Sequence, residues 1–277
     1  MSLVEVKNVS FTYPNGFVAV DGVSFKLEKG ENIAIVGQNG AGKTTTVKML
    51  NGLTKPTSGD IIVDGKNTKE YTTAQIARTV GYVFQNPDDQ IFNNTVYKEI
   101  EYGLKRMKLP KEERERRIMD AAVLTGMDKF LDQNPYDFPL SVRKFVTIAS
   151  VIASGCEVLI FDEPTAGQDL DGLERLSRLI RELTARGKAL ITITHDMEFV
   201  AENFERLIIM CNKKIAADGR SDEVFYYKDI MEEAKLKQPC VVEVSDRIGA
   251  GKLGLDLEAV ARFIKENRGN AVPSAQN

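Results

Sequence analysis

Gly37-Gln-Asn-Gly-Ala-Gly-Lys-Thr44 reads G-x-x-x-x-G-K-[ST], and it lies between an apolar run, Ile33 to Val36, and a helix-compatible run, Thr44 to Leu50. No other stretch constrains the fold as tightly. A buried strand that turns at once into a helix aims successive backbone N–H groups and the positive helix end at one point. Such a nest binds a polyphosphate. Gly40 and Gly42 let the backbone approach the anion, Lys43 adds a point charge, and the Thr44 hydroxyl is a hard ligand for Mg²⁺. Gln38, Asn39, Ala41 and Thr45 complete the loop and the first helical turn. A glycine-rich turn before an ordinary helix has the same composition but not this order of residues. The expected ligand is a nucleoside triphosphate with Mg²⁺.

The rest of the composition narrows the setting. A chain of 277 residues can bury one large α/β domain, or one domain with an inserted subdomain. Net charge is −3 with acidic and basic residues interleaved, so no basic stripe suited to nucleic acid is visible. The basic cluster at Arg114 to Arg117 lies in a charged helical stretch and reads as a solvated face. Cys156, Cys211 and Cys240 are far apart and form no C-x-x-C pair, which suits a reducing compartment. The first residues lack the apolar segment of a signal peptide, and no stretch approaches eighteen apolar residues. The expectation is a soluble cytoplasmic chain.

Leu3 to Phe11 and Val18 to Leu27 alternate apolar and polar residues, as half-buried antiparallel strands do, and Ile61 to Val63 is a further short strand. From about Pro87 to Ala153 the pattern turns helical, over Thr95 to Met107, Pro110 to Gly126 and Ser141 to Ala153. Buried-strand runs return at Val158 to Phe161, Ala189 to Thr194 and Leu207 to Met210, with an amphipathic helix from Asp169 to Arg186. Strands alternating with helices imply a parallel sheet with right-handed crossovers, and the helical middle is then an insertion. Mixed elements follow Gly219, and 267–277 reads as a frayed, disordered tail.

Further polar residues stand at the ends of these apolar runs. Asp162 and Glu163 close the Val158 run, on the edge where α/β sheets gather ligands. There Asp162 can hold Mg²⁺ and Glu163 can polarise an attacking water. A pair of acids capping a strand-to-helix turn is the plainer account. His195, the single histidine, ends the Ala189 run and reads as a γ-phosphate contact. Gln85 closes Val83-Phe84 and can reach Mg²⁺ or water; by itself it is a weak signal. Tyr13 can stack on a base or be an edge-strand aromatic.

In order and spacing these residues resemble the ATP-binding cassette ATPases, over about residues 2–230. Tyr13 fits the adenine-stacking aromatic, Gly37 to Thr44 the Walker A loop, Gln85 the Q-loop glutamine. Asp162 and Glu163 fit the Walker B aspartate and catalytic glutamate, and His195 the switch histidine. The resemblance implies an α/β fold: a RecA-like P-loop NTPase core with an antiparallel β subdomain and an inserted α-helical subdomain. Residues 1–230 would be the ATPase domain, with the helical insertion at about 87–153, and 231–277 a C-terminal extension. It also implies ATP and Mg²⁺ as ligands, and dimerisation with two ATPs sandwiched head to tail.

The stretch from Phe84 to Phe92 looks like the extended Q-loop of the energy-coupling factor (ECF) ATPases, which drive uptake of vitamins and of cobalt or nickel ions. Asp88, Asp89 and Gln90 would begin a short helix facing a transmembrane coupling subunit, itself paired with a substrate-binding membrane subunit. Such a chain sits on the cytoplasmic face of the membrane. Two departures stand out. The signature Leu-Ser-Gly-Gly-Gln is expected from Leu140, but the chain reads Leu140-Ser-Val-Arg-Lys144, two residues short, so Ser141, Val142 and Arg143 would face the partner's ATP without the glycines. Gln168 stands where a leucine is usual, while Asp169, a dimer contact, is retained. The altered signature favours a heterodimer with a second ATPase subunit. A nucleotide-binding subunit with little turnover, another class of importer ATPase, and a soluble non-transport cassette are the alternatives.

Overall fold

The computed structural model describes residues 2–267. Among these residues an antiparallel sheet is built from β1 (Val4–Thr12), β2 (Val18–Leu27), β4 (Ser58–Val63) and β5 (Lys66–Asn67), in the order β2-β1-β4-β5. The second sheet contains β3 (Asn32–Val36), β6 (Val80–Val83), β7 (Val158–Asp162), β8 (Ala189–Ile193), β9 (Arg206–Cys211) and β10 (Lys214–Arg220). Its order is β10-β9-β3-β8-β7-β6, parallel throughout except for the β9–β10 hairpin.

Side-chain alternation divides each central strand between two cores. Ile33 and Ile35 of β3, Val158 and Ile160 of β7, and Ile208 and Met210 of β9 pack toward the antiparallel sheet, with Val20, Leu27 and Ile61. Ala34, Val36, Leu159, Phe161, Leu207 and Ile209 point the other way, into a core closed by helices. Polar strand faces are scarce because both sides are covered, which is why these runs read as continuous hydrophobic segments. Fully burying a side chain such as Phe161 is worth about 1.5–3 kcal/mol.

Helix α1 (Lys43–Leu50) follows β3 directly, and a short α2 (Thr73–Ile76) precedes β6. Between β6 and β7 lie α3 (Val96–Leu104), α4 (Lys111–Thr125) and α5 (Leu140–Ala153), with 3₁₀ turns at Pro87–Asp89 and Pro135–Asp137. The helical stretches expected in the middle of the chain are therefore present, with shifts at all three starts: Thr95 is the cap of α3 rather than its first residue. Pro110 is the cap of α4 rather than its first residue, and α5 begins one residue early, capped by Pro139. Asp169 caps α6 (Leu170–Ala185) by accepting the Gly172 N–H at 2.8 Å. Helix α7 (Met197–Asn203) lies between β8 and β9, and α8 (Ser221–Val224), α9 (Lys228–Glu233), α10 (Cys240–Arg247) and α11 (Leu257–Glu266) follow β10. The tail expected over 267–277 lies, beyond residue 267, outside the described residues.

Candidate active site

Parallel strands bring the candidate residues to one edge. Val36 of β3, Val83 of β6, Asp162 of β7 and Ile193 of β8 end on the same side of the sheet, so the phosphate loop, Gln85, Glu163 and His195 follow side by side. All of them except Asp162 and the later part of the loop line one open cavity of about 720 Å³.

The loop's glycines are demanded by its surroundings. Gly37 has φ +146°, and a Cβ there would run into the Met210 carbonyl oxygen; Gly42 has φ +100°, and a Cβ would lie 2.5 Å from the Ala19 carbonyl oxygen. The loop is thus wedged between β2 and β9. Lys43 is buried and donates from Nζ to the carbonyls of Gly37 at 2.6 Å and Gln38 at 3.1 Å. Burial pulls its ammonium below the ordinary lysine range, and the Glu163 and Asp162 carboxylates oppose that pull.

Thr44 donates its hydroxyl to Asp162 Oδ1 at 3.3 Å, while Tyr82 donates its phenolic proton to Oδ2 at 2.6 Å. Burial, followed by the Asp162 charge, pushes the Tyr82 hydroxyl up, so it remains a donor. Among the described residues no group of three or more His, Cys, Asp or Glu side chains could hold a metal alone. One hydroxyl and one carboxylate suit Mg²⁺, which takes few protein oxygens and completes its shell with phosphate and water. Thr44 and Asp162 fit that ion.

Glu163 is 8% exposed and has φ +51°, a left-handed backbone rare for a residue with a Cβ. Its N–H donates to Ile193 O at 2.9 Å, and its Oε2 lies 2.8 Å from His195 Nδ1. Burial raises its carboxyl above the ordinary value; His195 and Lys43 act against this, and Asp162 adds to it. A carboxylate with raised affinity for a proton, facing the space beyond the phosphate loop, has the properties of a general base.

The other expected residues are placed as follows. Tyr13 stacks edge-on against Phe11 with ring centroids 4.8 Å apart, and its hydroxyl is 3.4 Å from Thr45 Oγ1; the ring remains 42% exposed at the flank of the loop. Gln90 folds inward instead of outward: its Oε1 accepts the Phe84 N–H at 3.0 Å and its Nε2 donates to Tyr82 O at 3.3 Å. Asp88 and Asp89 are exposed on the 3₁₀ turn. At the start of α5, the N–H groups of Val142 and Arg143 both go to Pro139 O, at 3.0 and 3.1 Å, and the Val142 side chain packs against the helical core. The donors left at that helix end are Leu140 and Ser141. Arg143 turns away from it, to Asp88 Oδ1 at 2.5 Å, Phe138 O at 3.1 Å and the face of Tyr136.

Sequence reading missed three contributors. Tyr82 sits among apolar strand residues, and only strand alternation could have aimed it at Asp162. Lys144 is buried beneath Glu163. The segment Lys235–Gln238 of the C-terminal extension lines the same cavity as the phosphate loop, a contact that no local pattern foretells.

Residues 20–166, just over half of the chain, match the family described as "ABC transporter". The chain belongs to the ATP-binding cassette family. It is an ABC ATPase that binds ATP with Mg²⁺, and its fold is that of the family's cassettes. A putative ABC transporter ATP-binding protein of Pyrococcus furiosus is 39% identical over 89% of this chain and 94% of its own length. An energy-coupling factor transporter ATP-binding protein, EcfA, of Methanocaldococcus jannaschii is 37% identical over 88% of both chains. A relative from Caldanaerobacter subterraneus is 38% identical over 92% of this chain, which spans 45% of that relative's length. Among solved structures, cbiO1 from Clostridium perfringens, described as part of the ABC transporter complex cbiONQ, superposes with a TM-score of 0.76 at 31% identity, over 88% of this chain and 99% of its own. A dimeric bacterial ABC transporter cassette gives a TM-score of 0.72 at 25% identity, over 79% and 98%.

Proposed function

We propose that this cassette is the ATP-hydrolysing subunit of an ECF-type importer, taking up a vitamin or a transition-metal ion. Residues 1–230 form the ATPase domain, with its helical insertion at about 87–153, and 231–277 form an extension. The observation that carries the reading is the convergence of Lys43, Thr44, Asp162, Glu163 and His195 on one strand edge, with Glu163 Oε2 2.8 Å from His195 Nδ1. Backbone N–H groups of the phosphate loop and α1 bind the phosphates, Lys43 adds charge, and Tyr13 offers a face to adenine. Thr44 and Asp162, with Gln85 just after β6, would hold Mg²⁺, which would withdraw charge from the phosphate oxygens. Glu163 takes a proton from the attacking water and His195 contacts the γ-phosphate.

The other half of the site comes from a second cassette, as the likeness to a dimeric cassette and to the cbiONQ component suggests by analogy. Asp169 and the α5 end with Leu140 and Ser141 face the partner's nucleotide. Because that end carries side chains where the family has glycines, the partner is a different ATPase subunit with an intact signature. A transmembrane coupling subunit meets the Asp88–Phe92 region, and a substrate-binding membrane subunit selects the solute. Phe92, 74% exposed beside Tyr102, supports such a contact. Among the described residues no helix is long and apolar enough to cross a membrane; in this reading the chain joins the cytoplasmic face through these partners.

A second reading, a nucleotide-binding subunit with little turnover, is favoured by one observation: Pro139, Leu140 and Ser141 begin α5 without a glycine. The test is to purify the chain with its membrane partners and measure ATP turnover against Glu163→Gln. Turnover lost in that variant supports the enzyme; turnover unchanged overturns it; none in any assembly leaves the second reading.

A further inference from the structure

Lys144 is 3% exposed, and among the described residues its ammonium faces no carboxylate at hydrogen-bonding distance. It donates instead to two backbone carbonyls, Glu163 O at 2.8 Å and Ala166 O at 2.6 Å. Both belong to the loop between β7 and α6. Burying an ammonium on neutral acceptors is costly, and here the nearby Asp162 and Glu163 charges offset part of that cost. A leucine or methionine would pack in the same space without the penalty, so the charge calls for a role beyond filling.

The same loop is tied a second time. Gln168 donates from Nε2 to Ser141 O at 3.1 Å, joining its far end to the first turn of α5. The left-handed Glu163 backbone stands at the first tie, and such a conformation persists only where its surroundings over-determine it. Within the segment, Ala166 N–H reaches Glu163 O at 3.4 Å and Gln168 N–H reaches Thr165 O at 3.1 Å. On its other side the loop is held by β8 and the residue after it, where the Glu163 N–H donates to Ile193 O at 2.9 Å and the Thr165 and Thr194 hydroxyls pair at 2.8 Å; Lys144 and Gln168 supply its ties to α5.

We propose that Lys144 is a positioning residue that, with Gln168, locks the Glu163–Ala166 loop to α5. The base serving this chain's own nucleotide and the helix end turned to the partner's then move as one body. Closure of one site is conveyed to the other through a pair of side-chain ties. This rests on the dimeric ATPase reading above, but the lock itself is a property of the single chain.

Hydrogen–deuterium exchange on the full chain tests it. In Lys144→Met the amides of Ala166 and Gln168 are expected to exchange about tenfold faster or more, with those of β7 unchanged. Gln168→Ala, which leaves the buried ammonium in place, is expected to speed the Gln168 amide alone, and it decides the matter if the first variant does not fold. Exchange within about twofold of wild type in both overturns the lock. In the assembled complex, Lys144→Met is expected to lower kcat about tenfold or more with Kd for MgATP unchanged, and Lys144→Arg, which keeps donors, to recover part of it. An inactive wild-type complex would defeat the enzyme reading while the exchange result still decides the lock. Normal kcat in Lys144→Met beside an active wild type would overturn its positioning role.

Discussion

Tyr82 and Asp162, eighty residues apart in sequence, are joined by a hydrogen bond of 2.6 Å from the phenolic hydroxyl to Oδ2. The bond leaves Oδ1 to Thr44, so Tyr82 fixes which carboxylate oxygen faces the metal position. Removing a donor to a buried charged acceptor costs about 1.5–3 kcal/mol. Tyr82→Phe is therefore expected to lower stability by that amount in urea denaturation. Mg²⁺-dependent ATP affinity should weaken more than Mg²⁺-independent affinity, measured by titration with and without the metal.

Glu163 links stability to pH in a specific direction. Its carboxyl is raised from an ordinary value of 4.5, chiefly by burial, so the folded chain holds this proton more tightly than the unfolded one. Its contribution to stability is fully present below the ordinary value and is lost as pH rises through the folded value. Glu163→Gln resembles the protonated form at every pH. It is expected to melt above wild type at pH 7 and at the same temperature below about pH 4.5. Turnover by the assembled complex should fall about 10²–10⁴-fold in the same variant. A melting difference independent of pH would show that burial does not govern this carboxyl.

What sequence could and could not reveal follows from the range of each interaction. Asp162, Glu163 and His195 were legible because they directly follow apolar runs whose parallel pairing forces their ends together. The division into two cores was not, because β3 and β7 are apolar on both faces and residue type does not say which core each side chain enters. Lys144 was not, because its partners are backbone carbonyls 19 and 22 residues away, and carbonyls leave no trace in residue type. Arg143 was legible as a charge near the signature position but not in its direction. A partner 55 residues away, Asp88, takes its guanidinium. The start of α5 shifted by a residue because Pro139, which cannot donate an N–H, serves well as the cap.

The phosphate loop separates two kinds of glycine requirement. Gly42 is pressed against the Ala19 carbonyl at φ +100°, whereas Gly40, at φ +81°, has open space where a Cβ would go. Gly40→Ala carries only the left-handed backbone penalty, about 1–2 kcal/mol. Gly42→Ala adds a clash with backbone that cannot rotate away and is expected to cost more, on the order of 3 kcal/mol, with loss of ATP binding. Paired denaturation curves and nucleotide titrations of the two variants check the order.

Arg143 and Asp88 join the start of α5 to the turn after β6 at 2.5 Å, with side chains 19% and 41% exposed. At that exposure the pair contributes roughly 0–1 kcal/mol to stability, so Asp88→Asn should not shift unfolding much, while Arg143→Ala also gives up the Phe138 O bond and the Tyr136 face. The pair does join two segments that sequence assigns to different neighbours: α5 to the second cassette and the Pro87–Asp89 turn to the membrane. If one reports to the other through this contact, each variant should reduce the stimulation of ATP turnover by transported solute while leaving basal turnover nearly intact. The double variant should be no worse than either single one, because both remove the same interaction. Additive losses would mean that the two residues act separately, and full stimulation in both single variants would leave the bridge without a part in coupling.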